Sequence, residues 1–180
     1  MLHDAIGKQM NRRNAIALGL SATFLAACGG QVASFGGAST AGRSAVYKIN
    51  ANQAQAIPFR ALDAINAIRA RAGLGALQFN AALNAASLTH SRDMSVQNRP
   101  WHFGSDGSSP LLRAQRVGFQ GRFLGELISE TFETELQTIN AWLLEPSTRN
   151  IILDPAPTVM GFAWYQESNG KIWWTLMTGA

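Results

Sequence analysis

Three groups of residues in this chain carry side chains suited to chemistry. Cys28 is the only thiol, so it is open to modification but not to a disulfide within the chain. His90 and His102 are the two histidines beyond the first thirty residues, and imidazole is the side chain that changes charge near neutral pH. His102 is followed by Ser105, Asp106, Ser108 and Ser109, which raises a hydroxyl nucleophile activated by an imidazole. The spacing argues against it. No Gly-x-Ser-x-Gly turn is present, and serines in a run of Gly, Asp and Pro are usually turn residues. A phosphate-binding loop, a dinucleotide fingerprint and a paired-cysteine metal site are also missing from the sequence.

The elements that must position these side chains follow from periodicity and caps. A first helix is expected from Pro58 to Gly73, with Ala61, Ile65, Ile68 and Ala72 on one face. Asn80 caps a second helix to about Gln97, whose face carries Leu83, Ser87, His90 and Met94. On that face His90 reads as a buried histidine hydrogen-bonded to a neighbour. Residues 98–110 form a long loop carrying His102, and Pro110 opens a short helix to about Val117. Phe123 to Ile128 reads as a strand. Thr134-Glu-Leu-Gln137 is a capping box for a helix that buries Leu136, Ile139 and Leu143 and ends near Pro146. Val159 to Tyr165 and Ile172 to Met177 are strands joined by a turn at Glu167-Ser-Asn-Gly170. The expected class is α+β: a small antiparallel sheet covered by helices on both faces.

The N-terminal residues read as an address. Lys8, Arg12 and Arg13 precede an apolar run from Ala15 to Leu25, and Leu25-Ala-Ala-Cys28 closes it with small residues. This is the order of a cleaved export signal, and the run falls short of the roughly 20 residues that a spanning helix needs. The tetrapeptide resembles the lipobox of bacterial lipoproteins, which implies that Cys28 is lipidated, palmitate included, and becomes the first residue of the mature chain. Gly29 in place of Asp implies the outer membrane, and Arg12-Arg13 before Asn14 hints at twin-arginine export. Gly, Ala and Ser dominate the stretch after Cys28 and read as a tether. The expected organisation is a signal peptide over 1–27, a lipidated cysteine and tether over 28–56, and a folded domain over 57–180.

Composition excludes some partners. Of 180 residues 47% are hydrophobic and 14% charged, enough for a core. The formal charge of +4 falls once the signal is set aside, with 12 Lys and Arg against 10 Asp and Glu over 28–180. That charge has no basic cluster, so nucleic acid is not an expected partner. The membrane is one, through the anchor, and the domain is expected to be a monomer.

The residues from Pro58 onward resemble the CAP family, that of cysteine-rich secretory proteins, antigen 5 and pathogenesis-related proteins, in its bacterial single-domain form. Ala61 to Arg69 is similar to the family's opening helix, and Gly73-Leu-Gly-Ala-Leu77 with Asn80 and Leu83 to the link into the second. His90-Ser-Arg-Asp-Met94 resembles its His-x-x-Asp-Met segment. His102-Phe-Gly-Ser-Asp-Gly-Ser-Ser-Pro110 resembles its bacterial loop, and Gly125-Glu-Leu-Ile128 its Gly-Glu-Asn-Ile. Trp142, Pro146, Arg149, Ile152 and Leu153 fit its next stretch. The resemblance implies an α-β-α sandwich with a cleft of two His and two Glu, which in some members holds a divalent metal.

Carried over by position, that cleft takes His102, Glu126 and Glu145, with Thr148 standing where the second histidine belongs and Leu127 where the family has Asn. The resemblance offers His102 and Glu126 as ligands for a zinc-type ion, although no cofactor is required. Two functions are open. One is a non-enzymatic, envelope-tethered module that binds a lipid or cell-envelope component. The other is a metal-assisted hydrolase acting on peptide or envelope polymer.

Overall fold

The structure is a computed structural model that describes residues 46–180. The expected signal peptide, Cys28 and the greater part of the expected tether lie outside the described residues. Helix α1 spans Ala51–Arg71. Its start is set by Asn50, whose side chain accepts from Gln53 N while the Gln53 side chain accepts from Asn50 N, each at 2.9 Å. The helix therefore begins seven residues before Pro58, the start expected from the sequence, and residue 57 falls inside the helix. Pro58 sits in the helix interior and cannot donate to the carbonyl of Ala54. The buried positions are Ile57, Ala61, Ile65 and Arg69; Ala72, expected on this face, is exposed. Arg69 is wholly buried because its guanidinium donates to the carbonyls of Gly75, Ile152, Asp154 and Pro157.

Strand β1, Gln78–Phe79, leads into α2, Ala81–Gln97, capped by the Asn80 side chain on Leu83 N as expected. Helix α3, Pro110–Arg116, has Ser109 as its cap and Pro in its first turn. Strand β2 is Phe123–Glu130. Helix α4, Glu135–Leu144, carries the expected Thr134 and Gln137 capping box. Its burial differs from the expectation: Ile139 is inside, but Leu136 is 48% exposed and Glu135 is buried against Arg60 at 2.5 Å. Pro146, read as a stop, instead starts α5, Pro146–Ile152. Strands β3, Val159–Gln166, and β4, Ile172–Gly179, form the expected hairpin.

The sheet order is β1-β3-β4-β2. Strand β4 pairs antiparallel with both β3 and β2, and two residues of β1 add a parallel edge that the periodicity does not indicate. Alternation along the strands divides the core in two. Phe162, Trp174, Leu176 and Leu127 pack with Ile57, Ile65, Ile139 and Trp142 from α1 and α4. Met177 packs on the other side with Leu83, Ala86 and Ala114 from α2 and α3. The result is a three-layer α-β-α sandwich, as expected. Helix α2 comes so close to β3 that a Cβ at Gly161 would stand 2.1 Å from Asn84 N and 2.3 Å from Leu83 C.

Candidate functional site

Glu126 is placed by register. It pairs with Met177 across the β2–β4 ladder, and side chains of paired residues share a face, so its carboxylate points under α2 and α3 rather than into the Trp174 core. The side chain is 2% exposed. Burying a carboxylate is unfavourable without partners, and the chain supplies two. Arg113 Nη2 donates to Oε2 at 2.6 Å, and His102 Nδ1 lies 2.9 Å from Oε1.

Both partners are held by the loop between α2 and α3. Arg113 Nη1 donates to the carbonyls of His102 and Ser108, at 3.0 and 2.9 Å. Asp93, one turn from the end of α2, accepts from Ser105 N, Ser105 Oγ and Gln97 Nε2. Burial raises the Asp93 pKa, but these donors outweigh it and hold the carboxyl below its usual range. Gly107 takes φ +76° in the loop's turn, a conformation that favours glycine. Asp106 binds Arg116 and Ser108 N, and Ser109 caps α3. Ser105 and Asp106 are thus committed to loop structure, and His102 Nδ1 is turned to Glu126.

His102 Nδ1 is taken up by Glu126, which leaves Nε2 as the ring nitrogen open to a ligand. The His102 side chain is 51% exposed. It stands over a cleft of about 200 Å³ at the outer edge of β2, lined by His102, Glu126, Leu127, Ile128, Thr148 and Ile151. Thr148 belongs to the cleft, but its hydroxyl donates inward to the carbonyl of Trp142 at 2.5 Å. Glu145 does not line it. It is exposed, precedes α5, and accepts from Ser147 Oγ at 3.3 Å. Of the four carried-over residues, the structure brings His102, Glu126 and Thr148 together and leaves Glu145 outside.

Two members of the cluster were not read from the sequence in these roles. Arg113 is buried while the adjacent Leu111 and Leu112 are 46% and 39% exposed; its place one turn into a helix behind the loop was the available signal. His90 is wholly buried as expected, but neither ring nitrogen has a hydrogen bond. Its Nε2 stands 3.8 Å from Glu126 Oε1, with Arg113, Asp93 and the Trp101 backbone the other polar groups nearby. Burial pushes the His90 pKa down, against the pull of Glu126, so the ring is neutral at pH 7.

This donor set does not fit a zinc ion. A catalytic zinc takes three protein ligands, and no three His, Cys, Asp or Glu side chains converge in that way among the described residues. Both oxygens of Glu126 are engaged, one of them by a guanidinium whose charge opposes a dication at the same carboxylate. The counter-charge at Glu126 comes from Arg113.

The sandwich and its edge cleft define the class of domain, a three-layer α-β-α fold. The profile of the cysteine-rich secretory protein family, CAP, matches residues 62–177, and the chain belongs to that family. An uncharacterized protein of Bacillus subtilis, YkwD, is 30% identical over 114 residues. The match takes in 63% of this chain and 44% of that relative, so the chain spans less than half of its length. The fold is similar to that of an extracellular SCP-domain protein from Bacillus anthracis, at TM-score 0.65 and 20% identity over 74% of this chain and 45% of that one. It is also similar to that of an outer surface protein from Borrelia burgdorferi, at TM-score 0.60 and 17% identity over 66% and 87% of the two chains.

Proposed function

We propose that this chain is a cell-envelope CAP module, anchored by a lipid on Cys28, that binds a lipid or other envelope component in the β2-edge cleft without catalysing a reaction. The observation that carries the reading is the engagement of Glu126, whose two oxygens go to His102 and Arg113. A carboxylate so held orients an imidazole; it is poorly placed to act as a general base or a metal ligand. The cleft then offers one uncommitted ring nitrogen, His102 Nε2, above apolar walls from Leu127, Ile128 and Ile151. That pairing suits a ligand with a hydroxyl or amide head and a hydrocarbon body. An envelope location is supported by the export-signal pattern before Cys28 and by fold neighbours described as extracellular and outer surface proteins.

Native mass spectrometry of the full chain purified from membranes tests the function. A bound organic ligand lost on His102→Ala is expected; stoichiometric zinc with no organic ligand would support the metal-assisted hydrolase instead. For the anchor, palmitate labelling in growing cells should mark the protein and vanish on Cys28→Ala. Equal labelling of the variant contradicts the anchor.

A further inference from the structure

The end of the sandwich that holds the β3–β4 turn gathers several exposed apolar side chains. The described chain enters there: Val46 packs over Gly170 in the turn, and Lys48 donates to the carbonyls of Glu167 and Ser168. The end of α2 arrives at the same place, since Ser95 donates to the Glu167 carboxylate and Lys171 Nζ donates to Asn98 Oδ1 at 3.5 Å. Asn98 takes φ 51° and ends the helix. The chain then runs through Arg99 into the loop of Trp101, His102 and Phe103.

Val46, Val96, Trp101 and Phe103 are all exposed, the two aromatics by 44% and 45%. Their rings pack edge to face with centroids 5.5 Å apart, and the Arg99 guanidinium lies 3.8 Å over the Trp101 ring. These rings are not outside for want of order. The backbone beneath them is pinned by Arg113 on the His102 carbonyl and Gln97 on the Phe103 carbonyl, each at 3.0 Å. A fixed loop that turns a tryptophan and a phenylalanine to solvent forgoes the burial that such side chains otherwise gain, and an apolar patch of this kind marks a binding face.

Chemistry and position together name what covers that face. An indole with a guanidinium on it, beside a second apolar ring, is the composition that settles at a membrane–water boundary, apolar at one end and wet at the other. The position is set by the chain itself. Residues 28–45 lead from Cys28 to Val46, and even fully extended such a stretch reaches no further than about 60 Å. With a lipid on Cys28, the domain therefore meets the bilayer by the end that carries Trp101 and Phe103. This step rests on the anchor proposed above; the exposure of the rings does not.

We propose that this end of the domain docks on a phospholipid bilayer, with Trp101 and Phe103 entering the boundary between headgroups and acyl chains and Arg99 meeting the phosphates. His102 stands between the two rings in sequence, so docking brings its cleft beside the lipid.

The test uses the chain purified from membranes and vesicles of phosphatidylethanolamine and phosphatidylglycerol with brominated acyl chains, whose bromine quenches an indole only near contact. Trp101 is the one exposed tryptophan of five. Its emission is expected to be quenched on the vesicles, and the quenching should vanish in Trp101→Phe while that variant still floats with them. Phe103→Ser, a surface change, should shift the docking equilibrium about fivefold toward the undocked form, read as a fall in quenching. Protein that floats with Trp101 unquenched keeps its anchor and overturns the docking. A chain found by mass spectrometry to carry no acyl group overturns the anchor alone when Trp101 is still quenched at saturating lipid, and both readings when it is not. The docking also falls if iodide cannot reach Trp101 before vesicles are added, since a second copy or another protein then covers the face.

Discussion

Arg113 Nη2 and Glu126 Oε2 stand 2.6 Å apart, with side chains 6% and 2% exposed. The pair joins α3 to β2, and because the same guanidinium holds the His102 and Ser108 carbonyls, it also fixes the loop that carries the outward imidazole. One side chain thus compensates a buried charge and shapes the mouth of the cleft.

Removing that side chain should be severe. Arg113→Met leaves Glu126 buried without its cation and is expected to lower stability by about 3–5 kcal/mol, read from urea midpoints. Arg113→Lys keeps the charge but cannot span three acceptors with a rigid fork, so it should recover only part of the loss. A variant as stable as wild type would show that the ion pair contributes little.

His90 sets the pH dependence. Its folded-state pKa lies below the ordinary 6.5, so as pH falls the unfolded chain binds the proton first and stability drops. Glu126 and Arg113 face the ring from β2 and α3, and Asp93 lies on its own helix. The depressed carboxylates Asp93, Asp106 and Glu167 act in the same direction, but from ordinary values of 3.8 and 4.5. Between pH 7 and pH 5 the loss should therefore be that of His90. His90→Met should fall within about 1 kcal/mol of wild type at pH 7 and lose that slope, with His102→Gln as control. An unchanged slope in His90→Met refutes the assignment.

Arg69 is the structural counterpart of Arg113. Arg69→Met strands the carbonyls of Gly75, Ile152, Asp154 and Pro157 in the interior and should cost about 3 kcal/mol or more. Thermal melting at neutral pH checks it; a midpoint shift of less than about 4 °C, which corresponds to roughly 1 kcal/mol or less in a domain of this size, would contradict the role.

Elements with a local signature were legible in the sequence. Asn80, Pro110 and the Thr134–Gln137 box each announce a helix start, and Glu167 to Gly170 a turn. Helix α1 starts upstream of Pro58 because Asn50 and Gln53 form a capping box, a signal that Pro58, read as a first-turn residue, does not reveal. Helix α5 was missed because Pro146 fits a helix start as well as a stop. On α4 the inversion of Leu136 and Glu135 depends on Arg60, 75 residues earlier, which no local pattern can show. The same reason hid Arg113: its partner Glu126 lies on another element, and only the fold brings them together. The family pattern carried over Glu145 by spacing alone, and in the fold it stands exposed ahead of α5, outside the cleft.

That Glu126 takes its counter-charge from Arg113 rather than from a metal ion is tested most directly by a zinc titration, read by calorimetry. Full chain at pH 7 should bind zinc only weakly at the His102 cleft, while Thr148→His, which adds an imidazole there, should bind at least about tenfold more tightly. Tight one-to-one zinc binding by the native chain, abolished by His102→Ala, would contradict the account.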